Sequence, residues 1–341
     1  MKRLGLCTLL LLAALPAFGA RRRAVAPADP NRCTFSGGPV AHATYPEYLA
    51  ADATHVYWIN ENAELLRAPK LGGSDPELVA DLFMFIPLSM AVDGDRVYIG
   101  VLPFSFTGPK PGEILAVPKT GGAVTTLVQG VATPFGFAFD EEYIYWAATG
   151  TLDFEEEEIL ADGKIERARK SDGSGRQTLA QNLSAPIDLL VEGDVVYYGE
   201  TGLAKNDPTV GLYRVPKNGG TIVTLDSHTA SADLAFHGDS IIVWGGDDDH
   251  LQALFRFKKD GSGKQVLLSD EYLFSGPQVV GDRIYYTTLP VDSEGIVLQW
   301  IPATGGAPVT VLTDSFVSLL VDECSITFGS DTTFNLERIP R

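Results

Sequence analysis

The feature that most constrains this chain is that it repeats itself. Asp52, Asp93, Asp140, Glu192, His237, Val280 and Asp322 stand at equivalent places in seven similar units, separated by 41, 47, 52, 45, 43 and 42 residues. Each unit has a turn, often Asp-Gly, then a β-branched and aromatic segment such as HVYW (55–58), RVYIG (96–100), YIYWA (143–147) or RIYYT (283–287). After a variable stretch comes a second such segment ending in Pro-Lys and Gly-Gly, as in ELLRAPKLGG (64–73), EILAVPKTGG (113–122) and GLYRVPKNGG (211–220). A unit of this size cannot bury its apolar residues alone and must stack on its neighbours. A period of roughly 40–45 residues suits a four-stranded antiparallel blade, and no segment sustains the 3.6-residue period of an amphipathic helix. The expectation is an all-β, seven-bladed β-propeller with strands A to D in each blade. Small, apolar A strands (SMAVD, GFAFD, DLAFH) would line the central channel, and Thr-rich D strands (TTLV, VTVL) would form the outer rim.

The seventh unit stops at Arg341, directly after its third strand. Gly37-Gly38 and Val40 to Ala43, near the start of the chain, match the missing C-to-D turn and strand D. The first strand is therefore expected to complete the last blade, which closes the ring and covers two open sheet edges. On this reading residues 33–341 form one domain, although 341 residues divided by a typical domain length would suggest two.

Residues 1–20 read as a signal peptide: Lys2 and Arg3 are followed by an apolar run from Leu4 to Leu15 and by small residues at Ala17, Gly19 and Ala20. The run is too short to cross about 30 Å of hydrocarbon. Cleavage is expected between residues 19 and 26, with a flexible segment over 21–32, so the chain is expected to be exported to the periplasm, cell envelope or exterior. Export leaves two cysteines, Cys33 and Cys324. Cys33 lies near the C-to-D turn of blade 7 and Cys324 at its A-to-B turn, at the same end of an antiparallel blade. A disulfide between them is geometrically feasible; two buried thiols are the alternative.

Turn chemistry separates the two faces of the ring. The A-to-B and C-to-D turns are short and glycine-rich and vary little. The B-to-C loops on the opposite face vary widely: 101–112, 147–163, 200–211, 245–252 and 288–295. Loops held on a rigid scaffold are the usual seat of recognition. Phe104 and Phe106, in a Pro- and Gly-rich loop, either anchor a partner or fold back over the blade. Glu155, Glu156, Glu157 and Glu158 form one acidic run, and Asp247, Asp248 and Asp249 another beside His250. These runs either attract a cation or basic partner or form a solvated loop face. Trp58, Trp146 and Trp244 are strand-B residues and are expected to pack between blades.

The formal charge is −18, and −20 once Lys2 and Arg3 are removed. Nucleic-acid binding is excluded, because phosphate contact calls for cations. No Gly-x-Ser-x-Gly elbow, His-Glu-x-x-His pair, phosphate loop or calcium loop occurs, so no residue is nominated as acid, base or nucleophile. No cofactor is expected.

Tyr145, Trp146, Lys164 to Ala168, Asp172 to Ser174, Arg176 and Leu179 in blade 3 resemble the YWTD repeat of low-density-lipoprotein-receptor-type propellers. Ile59-Asn60 and Ala147-Ala148 replace the Thr-Asp half of that motif, which questions the family's Asp-centred network between blades. Such propellers typically have six blades, where seven are counted here. The Pro-Lys-x-Gly-Gly variant is closer to secreted bacterial propellers of the TolB-like kind. The resemblance implies protein binding, and the leading expectation is a monomeric binding or scaffold module whose variable-loop face contacts a protein or a basic ligand. The rival is a metal-assisted hydrolase or lyase of the lactonase kind, with Ca²⁺ or Mg²⁺ held by carboxylates at the channel mouth.

Overall fold

Seven four-stranded antiparallel sheets and one two-stranded hairpin make up the regular structure, with no helix among the described residues. The protein is seen in a computed structural model that describes residues 37–341 except 44, 106–109, 154, 155, 157, 271, 291–294, 331, 332 and 334. Blade 3 is representative: strand A is Pro134–Phe139, B is Tyr143–Ala148, C is Gly163–Arg169 and D is Gln177–Leu183. The A strands of successive blades touch one another, and the last touches the first, so they form the innermost ring. Both faces of a blade are covered by neighbours, which is why strand B reads as the unbroken apolar run YIYWAA. Strand D mixes buried residues (Leu179, Ala180, Leu183) with exposed ones (Thr178, Gln181, Asn182), as the outer rim requires.

The core is divided into seven apolar layers, one between each pair of adjacent blades. Trp58 and Trp146 are fully buried in two of them, and Trp244 is half-buried against a third. A fully buried large apolar side chain contributes about 1.5–3 kcal/mol, so each layer rests on a few aromatic and branched residues.

The ring closes as expected. Gly38–His42 pairs with Asn335–Pro340, with Gly38 opposite Arg338 and His42 opposite Asn335, so the first strand becomes strand D of blade 7. Val40, Ala41 and Ala43 then pack beside Leu49, Trp58 and Leu336, and the Trp58 indole N–H donates to the Ala43 carbonyl at 3.2 Å. Strand D runs away from the short-turn face, so residue 37 and Arg341 meet on that face. The expected signal peptide, the 21–32 segment and Cys33 lie outside the described residues. Cys324 sits in the blade 7 A-to-B turn, between Phe316–Val321 and Ser325–Ser330.

The short-turn face also carries the bonds that hold blade to blade. The acid ending strand A pairs with the ammonium of the Pro-Lys, Arg-Lys or Lys-Lys position one blade further on: Asp52 with Lys119, Asp93 with Lys170, Asp140 with Lys217, Glu192 with Lys259, and Asp322 with Lys70. Blade 6 lacks the pair on both sides. His237 replaces the acid where Ala303 replaces the lysine, and Val280 faces the Arg341 position. His237 instead meets Asp282 at 3.2 Å. The glycine that follows the cation lets each turn lie on the previous blade. At Gly173, whose φ is +72°, an added Cβ would come within 1.9 Å of the Leu127 carbonyl oxygen.

Asp140 shows why the acid is fixed. Its Oδ1 accepts the backbone N–H groups of Glu142 and Tyr143 at 2.9 and 2.7 Å, and its Oδ2 accepts the Tyr145 hydroxyl at 2.8 Å and Lys217 Nζ at 2.7 Å. Burial alone would raise its pKa, but the Lys217 ammonium and these donors outweigh it and hold the carboxyl at about 2. The same combination holds Asp52 well below the usual carboxylate range. A group depressed on folding stabilises above its unfolded pKa, near 4, and loses that contribution as pH falls through its folded value. Stability is therefore expected to fall steeply between about pH 4 and pH 2. Urea midpoints measured across that window should show a shallower fall for Asp140→Asn; an unchanged slope would remove Asp140 from the account.

The residues that carry the YWTD resemblance form a second fastening. Arg176 donates through two nitrogens to the buried Glu166 and through two more bonds to the carbonyls of Gln129 and Gly130 in blade 2. Its guanidinium also lies 5.7 Å from the Trp146 ring centre. An Asp-centred network between blades thus exists without a Thr-Asp motif, because the acid ending strand A carries it.

Candidate binding face

The opposite face is built from the B-to-C and D-to-A loops. Its candidate residues divide into those used within the fold and those left facing outward. Phe104 is half exposed and ordered by a backbone bond, its N–H donating to the Met84 carbonyl at 2.8 Å. Phe106, Glu155 and Glu157 lie outside the described residues. Glu156 is exposed, and its N–H donates to Asp153 Oδ1. Glu158 is paired with Lys205 of the blade 4 loop. Asp247 organises its own loop: Oδ1 accepts from the His250 N–H and lies 2.8 Å from His250 Nδ1, while Oδ2 accepts Lys264 Nζ at 2.8 Å. Burial works against ionisation there, but Lys264 and His250 dominate and bring the Asp247 pKa to about 2. Asp248 and Asp249 remain exposed.

The carboxylates on the A strands act as inter-blade fasteners. Buried Asp188 accepts the Leu189 N–H and, across to blade 5, the Leu234 N–H, both at 2.8 Å. Asp233 lies against Gly276 of blade 6, where a Cβ would sit 2.1 Å from its Oδ2. Hydroxyls tie other junctions on this side: Ser89 to the Pro134 carbonyl, Thr149 to Pro186 and Ser318 to Pro46. Among the described residues no three His, Cys, Asp or Glu side chains gather as a metal site would require.

Exposed large apolar side chains are distributed unevenly, and of those on this face the sequence singled out Phe104 alone. Phe83, Met84, Ile86 and Phe104 stand together above blades 1 and 2, with exposures of 75, 54, 36 and 47%. Leu160 and Leu203 stand above blades 3 and 4, where the Lys205 N–H donates to the Ile159 carbonyl at 2.7 Å and locks the two loops together. Leu251, Tyr272 and Leu289 stand above blades 5 and 6, with the Leu289 N–H donating to the Tyr272 carbonyl at 2.8 Å. Among the described residues the short-turn side offers Leu71, Val124 and Ile222, and others such as Leu78, Val223 and Val309 lie along the outer D strands.

Charge divides in the same way. The Pro-Lys cations sit on the short-turn face, where acids neutralise them. On the loop face Glu47, Glu61, Asp81, Asp248 and Asp249 are exposed, against Lys110, Lys164 and the paired Lys205. The acidic excess of the chain is therefore concentrated on the loop face.

No protein-family model matches the sequence, and no curated protein aligns with it. Solved structures match the fold. A chain of a nidogen–laminin complex is 17% identical, with 74% of this chain and 90% of that one covered and a TM-score of 0.52. A puromycin-hydrolysing peptidase of Mycobacterium tuberculosis is 16% identical with a TM-score of 0.60, over 77% of this chain and 44% of its own length. TolB from Acinetobacter baumannii is 14% identical with a TM-score of 0.50, over 82% of this chain and 64% of its own. No helix among the described residues is long and apolar enough to cross a membrane. At these identities the likeness establishes architecture alone: the chain is a seven-bladed β-propeller, structurally similar to the nidogen-type and TolB propellers.

Proposed function

We propose that this chain is an exported binding module that recognises a protein through its loop face. The observation that carries the reading is the concentration of exposed apolar side chains on that face, set among carboxylates and held by backbone hydrogen bonds. Anchors of this type, already ordered before contact, lose little conformational freedom on association. The nidogen–laminin match supplies a case in which a similar fold occurs in a protein complex. The test is photo-crosslinking in the source cell, with the reactive group placed at Phe104, Leu203 or Leu289 and, for comparison, at Leu71. A defined adduct from the loop positions and none from Leu71 is expected; adducts from Leu71 alone would reverse the assignment.

Export carries its own expected result. Protein recovered from an oxidising compartment should show no free thiol in the folded or the denatured state, because Cys33 and Cys324 are bridged. Reduction should then lower stability by up to about 5 kcal/mol, the chain-entropy value for so long a loop. Two titratable thiols in the unreduced, denatured protein would rule out the bridge.

A further inference from the structure

Blade 2 differs from its neighbours in height. Its A and B strands, Phe85–Asp93 and Arg96–Pro103, pair as far as Phe85 with Pro103 and Ile86 with Leu102. In blades 1 and 3 strand A begins at Pro46 and Pro134, the equivalents of Pro87, and blade 3 adds two bonds beyond it, from the Thr149 and Gly150 N–H groups to the Thr133 and Ala132 carbonyls. The bond from the Phe104 N–H to the Met84 carbonyl carries the blade 2 ladder one step further. At about 3.3 Å per residue, the hairpin rises roughly 10 Å past the blade 1 ladder and about 3 Å past that of blade 3.

This projection is rigid and apolar. The Phe83 N–H donates to Asp81 Oδ1 at 2.9 Å, the Phe85 N–H to the Leu82 carbonyl at 2.8 Å, and the Leu82 N–H to the Ala63 carbonyl of blade 1 at 2.9 Å. Leu82 is fully buried, so its neighbours Phe83 and Met84 are pinned with their side chains outward. Carboxylates flank the projection. Asp81 precedes it, and Glu61 lies in the blade 1 turn that holds Leu82. Glu47, at the start of the blade 1 A strand, is close enough to Glu61 that burial first, and that charge second, raise its pKa.

We infer that the blade 2 projection is the docking site for a linear protein segment in which aromatic or aliphatic residues alternate with Lys or Arg. The inference rests on the loop-face reading and narrows it to one place and one chemistry. The apolar residues of the segment cover Phe83, Met84, Ile86 and Phe104. Its cations meet Glu47, where the neighbouring Glu61 charge disfavours ionisation, together with Glu61 and with Asp81 beside Phe83. A purely apolar segment leaves those carboxylates uncompensated, and a purely basic one leaves the aromatic surface in water.

A random linear dodecapeptide library displayed on phage and panned against the full chain provides the test. Enriched peptides are then synthesised and titrated by fluorescence anisotropy. Lys or Arg adjacent to aromatic or aliphatic residues is expected in the enriched set. Affinity should fall at least tenfold in Phe83→Ser with Phe104→Ser, severalfold in Glu47→Gln with Glu61→Gln, and not at all in Leu71→Ser. All these side chains are exposed, and an unchanged melting curve verifies that each variant is folded. Enriched peptides indifferent to the Phe83 and Phe104 changes but weakened by Leu251→Ser with Leu289→Ser would overturn the blade 2 site and leave the loop face standing. Indifference to both sets, or no enrichment, would overturn both.

Discussion

A chain shortened to begin at Tyr45 is expected to lose its cooperative unfolding transition. Without Gly38–His42 the C strand of blade 7, Asn335–Pro340, becomes an open edge. The layer between blades 7 and 1 loses Val40, Ala41 and Ala43, and the indole N–H of the fully buried Trp58 loses its acceptor. Blade 7 then has three strands, and the ring is no longer fastened between its first and last units. The combined loss is comparable with the whole stability of a folded domain, about 5–15 kcal/mol. Calorimetry and size-exclusion chromatography would register it as a missing transition and as aggregation. A truncated chain melting within a few degrees of the intact one would show that ring closure contributes little.

Asp140→Ala should cost about 3 kcal/mol, within the range for breaking a largely buried ion pair that is also hydrogen-bonded. One carboxylate there serves four donors: two backbone N–H groups in its own turn, the Tyr145 hydroxyl, and Lys217 of the next blade. Lys217→Met should cost less, because it removes one donor and leaves the turn and the tyrosine satisfied. The double variant should be less destabilised than the sum of the two, since the partners share one interaction. Urea unfolding with an unchanged m-value would give these differences directly. A loss for Asp140→Ala below about 1 kcal/mol would mean that the apolar layers alone set the blade spacing.

The repeat made the architecture legible before any coordinates. Period, turn residues and the missing last strand are local in sequence, and together they force seven blades and closure by the first strand. The bonds between blades were half legible. The YWTD tetrapeptide has its acid at the fourth position, where this chain carries Asn60 and Ala148; the acid that serves the purpose ends the preceding strand. Its signature was present in the repeats, because the positions of His237 and Ala303 depart from acid and lysine together, one unit apart. The binding face was less legible. Runs of carboxylates draw the eye, yet Asp247 and Glu158 are engaged within their loops. Phe83 and Met84 lie in a short connection between strands, and nothing in an apolar residue's identity tells whether a neighbour covers it. That depends on the height of blade 2 relative to blade 1, a property of how far each hairpin continues its ladder.

Residue 37 and Arg341 leave the ring side by side on the short-turn face, and this fixes how the molecule can be presented. A tether at either end, whether a fused domain, a lipid or a bead, grips the side where lysines and acids neutralise one another. The acidic, apolar side then points outward whichever terminus is used. Attachment at the ends therefore leaves the blade 2 projection unobstructed, whereas coupling through lysines would also engage the exposed Lys110 and Lys205 of the loop face.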